Sequence, residues 1–266
     1  MPKRAFACAL SLAAALLLLA PVAIAADGSF PTNPAHGSDP TVATPAPWTR
    51  SIVCRVLYAH EVISQAVFRR LLVGLIAAGY QPVTLATVDA AMAGTSDAPK
   101  GCLLLTFDDS LLSQYLNAIP VLTELSTPAV FFALPGFTDG VHRYMGVAEL
   151  QAIASAGFEV ELHTCNHPNL PLLARRNLPA FYAELQDCRR ILESIVGQPV
   201  DYVAYPSGAY DATVLDTVAR FGFRGAFTTR PSATLNFRGP FTLPRIRYDP
   251  SEAPSTVIQR IRAAGG

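Results

Sequence analysis

Charge of either sign is scarce in this 266-residue chain. Charged residues make up 15%, and 20 basic side chains meet 20 acidic ones for a formal charge of zero. A protein that grips nucleic acid by neutralising phosphates carries a basic excess, so that partner class is set aside. Cysteine is sparse, five in all, too few for a disulfide scaffold of this length. No Gly-rich dinucleotide or phosphate loop follows any apolar run. Histidine is limited to His36, His60, His142, His163 and His167, with none beyond. What is plentiful is apolar: 51% of residues are hydrophobic, which excludes a disordered polyelectrolyte and supplies a large core. The length suits one ordinary domain or two small ones.

Part of the apolar excess sits at the front, where residues 1–26 read as a signal peptide. Lys3 and Arg4 give a basic start, residues 9–20 an apolar stretch too short to span a bilayer, and Ala23-Ile24-Ala25 a small-x-small cleavage site. A retained anchor is the alternative. Cleavage leaves 18 basic against 20 acidic residues, a formal charge of −2, and the four cysteines Cys54, Cys102, Cys165 and Cys188. An even number in an oxidising compartment permits disulfides. Residues 27–50, rich in Pro, Gly, Ser, Thr and Asn, read as a flexible linker. The folded domain is expected over 51–266. No later run reaches the ~18 apolar residues of a transmembrane helix. The mature protein is expected in the periplasm or outside the cell, without a membrane span and as a monomer.

From residue 51 onward, short apolar runs alternate with helical patterns. Strands are expected over 52–58, 82–85, 102–107, 129–134, 158–162, 200–205, 224–228 and 241–246, and helices around 68–76, 113–125, 148–156, 179–196, 214–221 and 255–263. Strands that are near-continuous apolar runs, separated by helices, indicate an α/β fold with a parallel sheet covered on both faces. A closed (β/α) barrel fits the length and the count, and an open doubly wound sheet is the alternative. In a barrel, the loops after the strand C-termini carry the chemistry.

The polar clusters fall at those ends. Thr106-Phe107-Asp108-Asp109 closes the 102–107 strand. Two adjacent carboxylates there lose hydration and repel, so they need a cation or a proton; an Asx turn or helix cap is the plainer alternative. His163-Thr164-Cys165-Asn166-His167-Pro168 closes the 158–162 strand. On a helical turn positions i and i+4 share a face, so both imidazoles can reach one ion; two independent surface histidines are the alternative. Two histidines and a carboxylate leave coordination positions open at a zinc ion, and the same set suits a non-haem iron oxygenase. The second aspartate favours hydrolysis, because one carboxylate binds metal while its neighbour takes a proton from activated water. Tyr205-Pro206-Ser207-Gly208-Ala209-Tyr210 closes a further strand. Its tight loop either offers backbone N–H groups to an oxyanion or is a simple turn before a helix capped by Asp211. In Leu243-Pro244-Arg245-Ile246, Arg245 either orients a carboxylate or pairs at the surface.

These clusters, in this order, resemble the polysaccharide deacetylase family, carbohydrate esterase family 4, also called the NodB homology domain. The resemblance covers roughly residues 51–246 and is nearest to an exported poly-N-acetylglucosamine deacetylase branch. It implies a distorted (β/α)7, TIM-like barrel that removes acetyl groups from an acetylated polysaccharide with a divalent metal, usually zinc; cobalt, nickel and iron suit the same ligands. By resemblance, Asp108 is the general base, and Asp109, His163 and His167 are the metal ligands. Ser207, Gly208, Tyr205 and Arg245 are expected on the substrate or oxyanion side. The sequence departs from the family pattern twice: no arginine precedes Pro206, and no late histidine stands as general acid. Tyr58-Ala59-His60 resembles the first strand of the exported branch, so His60 is a candidate substitute acid or substrate contact, with a structural histidine as the alternative. An O-acetyl esterase on xylan or peptidoglycan, and a carbohydrate-binding module that keeps the metal site without turnover, are the competing readings.

Cys54 and Cys102 each lie six residues before a strand-end functional residue, His60 and Asp108. If both strands start level, a bridge between them is feasible within the ~7 Å Cα limit. Cys188 falls on an apolar helical stripe and is expected as a packed hydrophobe. Cys165 is expected to be packed as well, with a bridge to Cys188 as the alternative.

Overall fold

The structure, a computed structural model, describes residues 47–138 and 143–265. The 1–26 leader, most of the linker and His142 lie outside the described residues. Strand formation follows the apolar runs. A segment such as Cys102–Phe107, buried at every position, has no face to give to water and must be covered on both sides.

Seven such strands build the frame: β1 (Arg55–Ala59), β2 (Cys102–Phe107), β3 (Val130–Ala133), β4 (Glu159–Leu162), β5 (Tyr202–Ala204), β6 (Gly225–Phe227) and β7 (Ile246–Arg247). They lie side by side, all parallel, in the order β7-β1-β2-β3-β4-β5-β6. The chain just ahead of β7 reaches back to β6, where Leu243 bridges Phe227 in parallel and Thr228 N–H donates to the Leu243 carbonyl. The sheet therefore curls into the expected distorted (β/α)7 barrel.

One seam explains part of the distortion. β4 and β5 share only the pair Leu162–Val203. Below it, the Glu161 carboxylate accepts the Tyr202 N–H at 2.8 Å, doing a ladder carbonyl's work. Burial pushes the Glu161 carboxyl well above the usual range, against the lowering effect of that hydrogen bond.

The period of two along each strand sorts side chains between two cores. Leu103, Leu105 and Phe107 face outward and pack with Phe68, Leu71 and Leu75 of helix α1 (Gln65–Ala77). Cys102 and Leu104 face inward with Val56, Val130, Phe132, Tyr202 and Phe227. Helix α2 (Leu85–Ala93) closes the barrel floor with Leu85, Val88 and Met92. The sequence pattern did not indicate α2, because 82–85 read as a strand. In fact only Gln81–Pro82 pairs with β2, and Thr84 turns away as the helix N-cap. Folded structure also begins ahead of Ser51. Trp48 Nε1 donates to Asp89, and the N–H groups of Thr49 and Arg50 both reach the Met92 carbonyl.

Both disulfides form. Cys54–Cys102 spans neighbouring strands at the barrel floor with Cα atoms 4.7 Å apart. Its place follows from register: Arg55 pairs Leu103, so Cys54 stands opposite Cys102. Cys165–Cys188, with Cα atoms 5.5 Å apart, replaces the expected packed thiols. The stripe that buries Cys188 points it at the 163–167 loop. Unfolded, non-reduced protein should show no free thiol at these four positions. Replacing Cys54 and Cys102 together by Ala should cost about 2–4 kcal/mol of stability through lost loop closure. A free-thiol titration and denaturant melts check both; a melt unchanged by the double substitution would exclude the bridge.

Candidate active site

The inward row of β2 is apolar at the bottom and polar at the top. Above Cys102 and Leu104 come Thr106 and then Asp108, just past the strand end. Asp108 N–H donates to the Ala59 carbonyl, which sets it level with His60 at the end of β1. A lone carboxylate buried there would be prohibitively costly. Arg245 meets it head on: Nη1 lies 2.7 Å from Oδ1 and Nη2 2.7 Å from Oδ2, a bidentate pair with Arg245 0% and Asp108 2% exposed. Arg245 Nε donates to the Thr228 carbonyl and Nη1 also to Thr106 Oγ1, while its guanidinium lies 4.5 Å from the Tyr58 ring centroid. Burial works to raise the Asp108 carboxyl, but the Arg245 charge, helped by His163, the Arg245 hydrogen bonds and His60, holds it below the ordinary range.

Asp109 points the other way. Its Oδ1 lies 3.4 Å from His163 Nε2 and 3.6 Å from His167 Nε2, and donor atoms of all three fall within 4.8 Å of one another. His163 Nδ1 sits 2.7 Å from the Ala204 carbonyl, which can only accept, so Nδ1 is spent there and Nε2 is the nitrogen turned toward Asp109. Burial and the neighbouring His163 hold the His167 imidazole below its ordinary pKa, so it favours the neutral, ligating form. Asp109 Oδ1 is buried with no hydrogen-bond partner. Three electron-pair donors converging on one point, one of them an orphaned carboxylate oxygen, fit a divalent cation.

The histidines meet by a route other than the expected helical face. Residues 163–167 form a tight loop in which Thr164 and His167 adopt positive φ, 67° and 55°, and Thr164 Oγ1 accepts the His167 N–H. Asp109, Ser110 and Ser207 are also left-handed. Such strained residues gather at all three strand-end loops, as they do where a fold over-determines a site.

The remaining expected residues divide. His60 Nε2 lies 3.8 Å from Asp109 Oδ2 with its side chain 34% exposed, so it borders the cluster and reaches solvent. Ser207 is exposed at the loop tip. The other three, expected on the substrate or oxyanion side, are each engaged within the protein, Arg245 in the carboxylate-orienting way its sequence context allowed. Arg245 has no exposed surface and is spent on Asp108. Tyr205 is fully buried, with its hydroxyl donating to the Phe241 carbonyl and its N–H to the Phe227 carbonyl. Gly208 gives its N–H to the Tyr205 carbonyl, and a Cβ there would lie 2.2 Å from Thr229 Oγ1 at a φ of 68°; it is a packing glycine.

Pattern reading missed Gln114, whose fully buried amide donates to the carbonyls of both His60 and Asp108, tying the two strand ends together. It also missed Glu184, which holds the 163–167 loop from behind. A polar residue on an otherwise apolar helical stripe was the available signal for each.

A barrel mouth with a countercharged buried acid beside an Asp–His–His cradle has the groups that metal-assisted hydrolysis uses. The polysaccharide deacetylase family model matches residues 95–226. The chain carries a domain of that family of hydrolases there, and the match takes in Asp108, Asp109, His163, His167 and Ser207 but neither His60 nor Arg245. Among relatives, YxkH of Bacillus subtilis (strain 168), named for the same family, is 26% identical over 177 residues, 66% of this chain and 62% of that one. The poly-beta-1,6-N-acetyl-D-glucosamine N-deacetylase of Escherichia coli (strain K12) is 36% identical over 61 residues, 23% of this chain and 9% of that one. This chain thus spans less than two thirds of either relative. The solved Streptococcus pyogenes deacetylase PplD, in complex with acetate, superposes with a TM-score of 0.71 at 25% identity, covering 80% of this chain and 99% of that one.

Replacing Arg245 by Met should cost about 3–5 kcal/mol, because it strands a buried carboxylate. Adding Asp108→Asn should recover much of that loss. Denaturant melts of the two variants test this; an Arg245→Met protein as stable as the parent would show that the pair does not hold Asp108.

Proposed function

We propose that this protein is an exported, metal-dependent deacetylase of an N-acetylated polysaccharide resembling poly-N-acetylglucosamine. The observation that carries this is the pairing of roles on adjacent residues: Asp108 fixed as a proton acceptor, Asp109 turned into the His163–His167 cradle. A divalent cation held by Asp109, His163 and His167, with zinc the expected ion, supplies Lewis acidity and lowers the pKa of water.

The chain's own residues do the rest. Asp108 takes the proton from the attacking water, and Arg245 keeps that carboxylate ionised and aimed. The Ser207 loop supplies a backbone N–H toward the carbonyl oxygen as charge develops there. His60, bordering Asp109 and partly open to solvent, donates the proton the departing amine needs. It fills the acid's place in a chain with no histidine after His167.

Two findings weigh against a binding module without turnover. Asp108 has an arginine partner in Arg245 although none precedes Pro206, and an acid candidate is present in His60. The named substrate of the Escherichia coli relative supports the N-acetyl choice. Export is supported by the leader-like residues 1–26 and by two disulfides among the described residues. No described helix is long and apolar enough to cross a membrane.

Acetate release from a panel of N- and O-acetylated glycans, with and without chelator, is the direct test. Release from N-acetylglucosamine polymers that chelator stops is the expected result. Release only from O-acetylated xylan, or binding with no release, would overturn the reading. Asp108→Asn should abolish turnover while sparing metal uptake, and His60→Ala should lower kcat by about 10²–10⁴. Full activity in either variant contradicts the assigned role.

A further inference from the structure

The two histidines of the cradle are held very differently. His163 extends β4: its N–H donates to the Ala133 carbonyl and its ring to the Ala204 carbonyl. His167 lies four residues out along a strained loop and depends on how that loop is fixed. Behind the loop stands Glu184, with 8% of its surface exposed. Its Oε2 accepts the N–H groups of Cys165 and Asn166 at 2.8 and 3.0 Å, and its Oε1 accepts Asn166 Nδ2 at 2.7 Å. Four residues on, Cys188 bonds Cys165 of the same loop. Glu184 lies in the π-helical turn Ala183–Asp187, directly before helix α3 (Cys188–Val196), so one helix face brings a carboxylate and a sulfur to one loop. On the loop's other side Gly136 leaves the space: a Cβ there would lie 2.6 Å from both Asn166 Oδ1 and the Cys165 carbonyl.

We infer that Glu184 is a positioning residue for the metal cradle. It pins the loop between His163 and His167 through Cys165 and Asn166, with the disulfide as a second tether, so that His167 is presented to the ion already in place. This rests on the assignment of Asp109, His163 and His167 as metal ligands. Each bond here ends on a carboxylate oxygen, and the one from the Cys165 N–H is buried, where such bonds are strongest. A loop left free would have to be ordered each time an ion bound, at a cost in affinity.

The pairing of Asn166 with Glu184 permits an exchange test. Glu184→Gln removes the charge and one of the two oxygens that accept the three N–H donors, and Asn166→Asp sets two carboxylates against each other. The double variant Glu184→Gln/Asn166→Asp restores one donor facing one acceptor. Metal uptake would be measured by titrating metal-free full-length protein with Zn²⁺ against a competing chelating dye. His163→Ala is the control, and a thermal melt is recorded for every variant.

Each single variant should bind with unchanged stoichiometry but about 10–100-fold more weakly, the usual effect of losing a group that orients a ligand. The double variant should return toward the parent affinity. If Glu184→Gln does not fold, Asn166→Ala, which deletes one bond of the three, carries the same comparison. Parent-like affinity in folded single variants, or no recovery in the double variant, would overturn the inference while leaving the metal site standing. A parent protein whose uptake is absent, or is indifferent to His163→Ala, would instead remove the metal site and the inference with it.

Discussion

The bidentate pair of Asp108 and Arg245 is the contact on which the rest of the barrel mouth depends. A carboxylate at the end of a strand buried on both faces is tolerable only with a matched countercharge, and only a planar guanidinium meets both oxygens at once. Supplying it takes the last strand, 137 residues further along the chain. Closing the barrel and ionising Asp108 are therefore one event. Thr106, Tyr58 and the Thr228 carbonyl are then committed to the arginine, so the layer beneath the site is fully engaged. The chemistry above can be polar because the layer below leaves no net charge to hydrate.

The division of labour between neighbouring aspartates follows from backbone geometry. Asp108 still follows the strand, its N–H bonded to Ala59. Asp109, with a φ of 75°, has turned out of it. One residue of left-handed backbone separates an acid held by arginine from an acid facing two imidazoles. Both are lowered below the ordinary carboxylate range, against burial, by different partners: Arg245 foremost for one, His163 foremost for the other.

How much of this was legible in the sequence depended on distance along the chain. Adjacent acids, a His-x3-His spacing and strand-end placement are local, so Asp108, Asp109, His163 and His167 could be assembled from the sequence, as could most strands. The means by which the histidines converge was not legible, since a helical turn and a strained loop share that spacing. Arg245 was visible as a candidate to orient a carboxylate, but not which one, because its partner is remote in sequence. Tyr205 and Gly208 were drawn toward the substrate by their neighbourhood, whereas burial and a close approach to Thr229 give them supporting work. Helix α2 escaped because its Ala-rich run carries little amphipathic contrast and its cap follows a short strand. Glu184 escaped because an acid on an apolar helical stripe does not name its partner until the opposite loop is known.

The floor disulfide has a consequence at the other end of the same two strands. Cys54 and His60 are six residues apart, and so are Cys102 and Asp108, so the bridge fixes a common origin from which both functional residues are counted. Because strand side chains alternate, one residue added to β2 would turn Asp108 out of the barrel and put Phe107 in its place, and one removed would put Asp109 there. The bridge denies the strand the freedom to slide and absorb the error. Over evolutionary time these two segments should therefore accept substitutions far more readily than changes of length, with gaps and insertions displaced into the loops beyond His60 and Asp109.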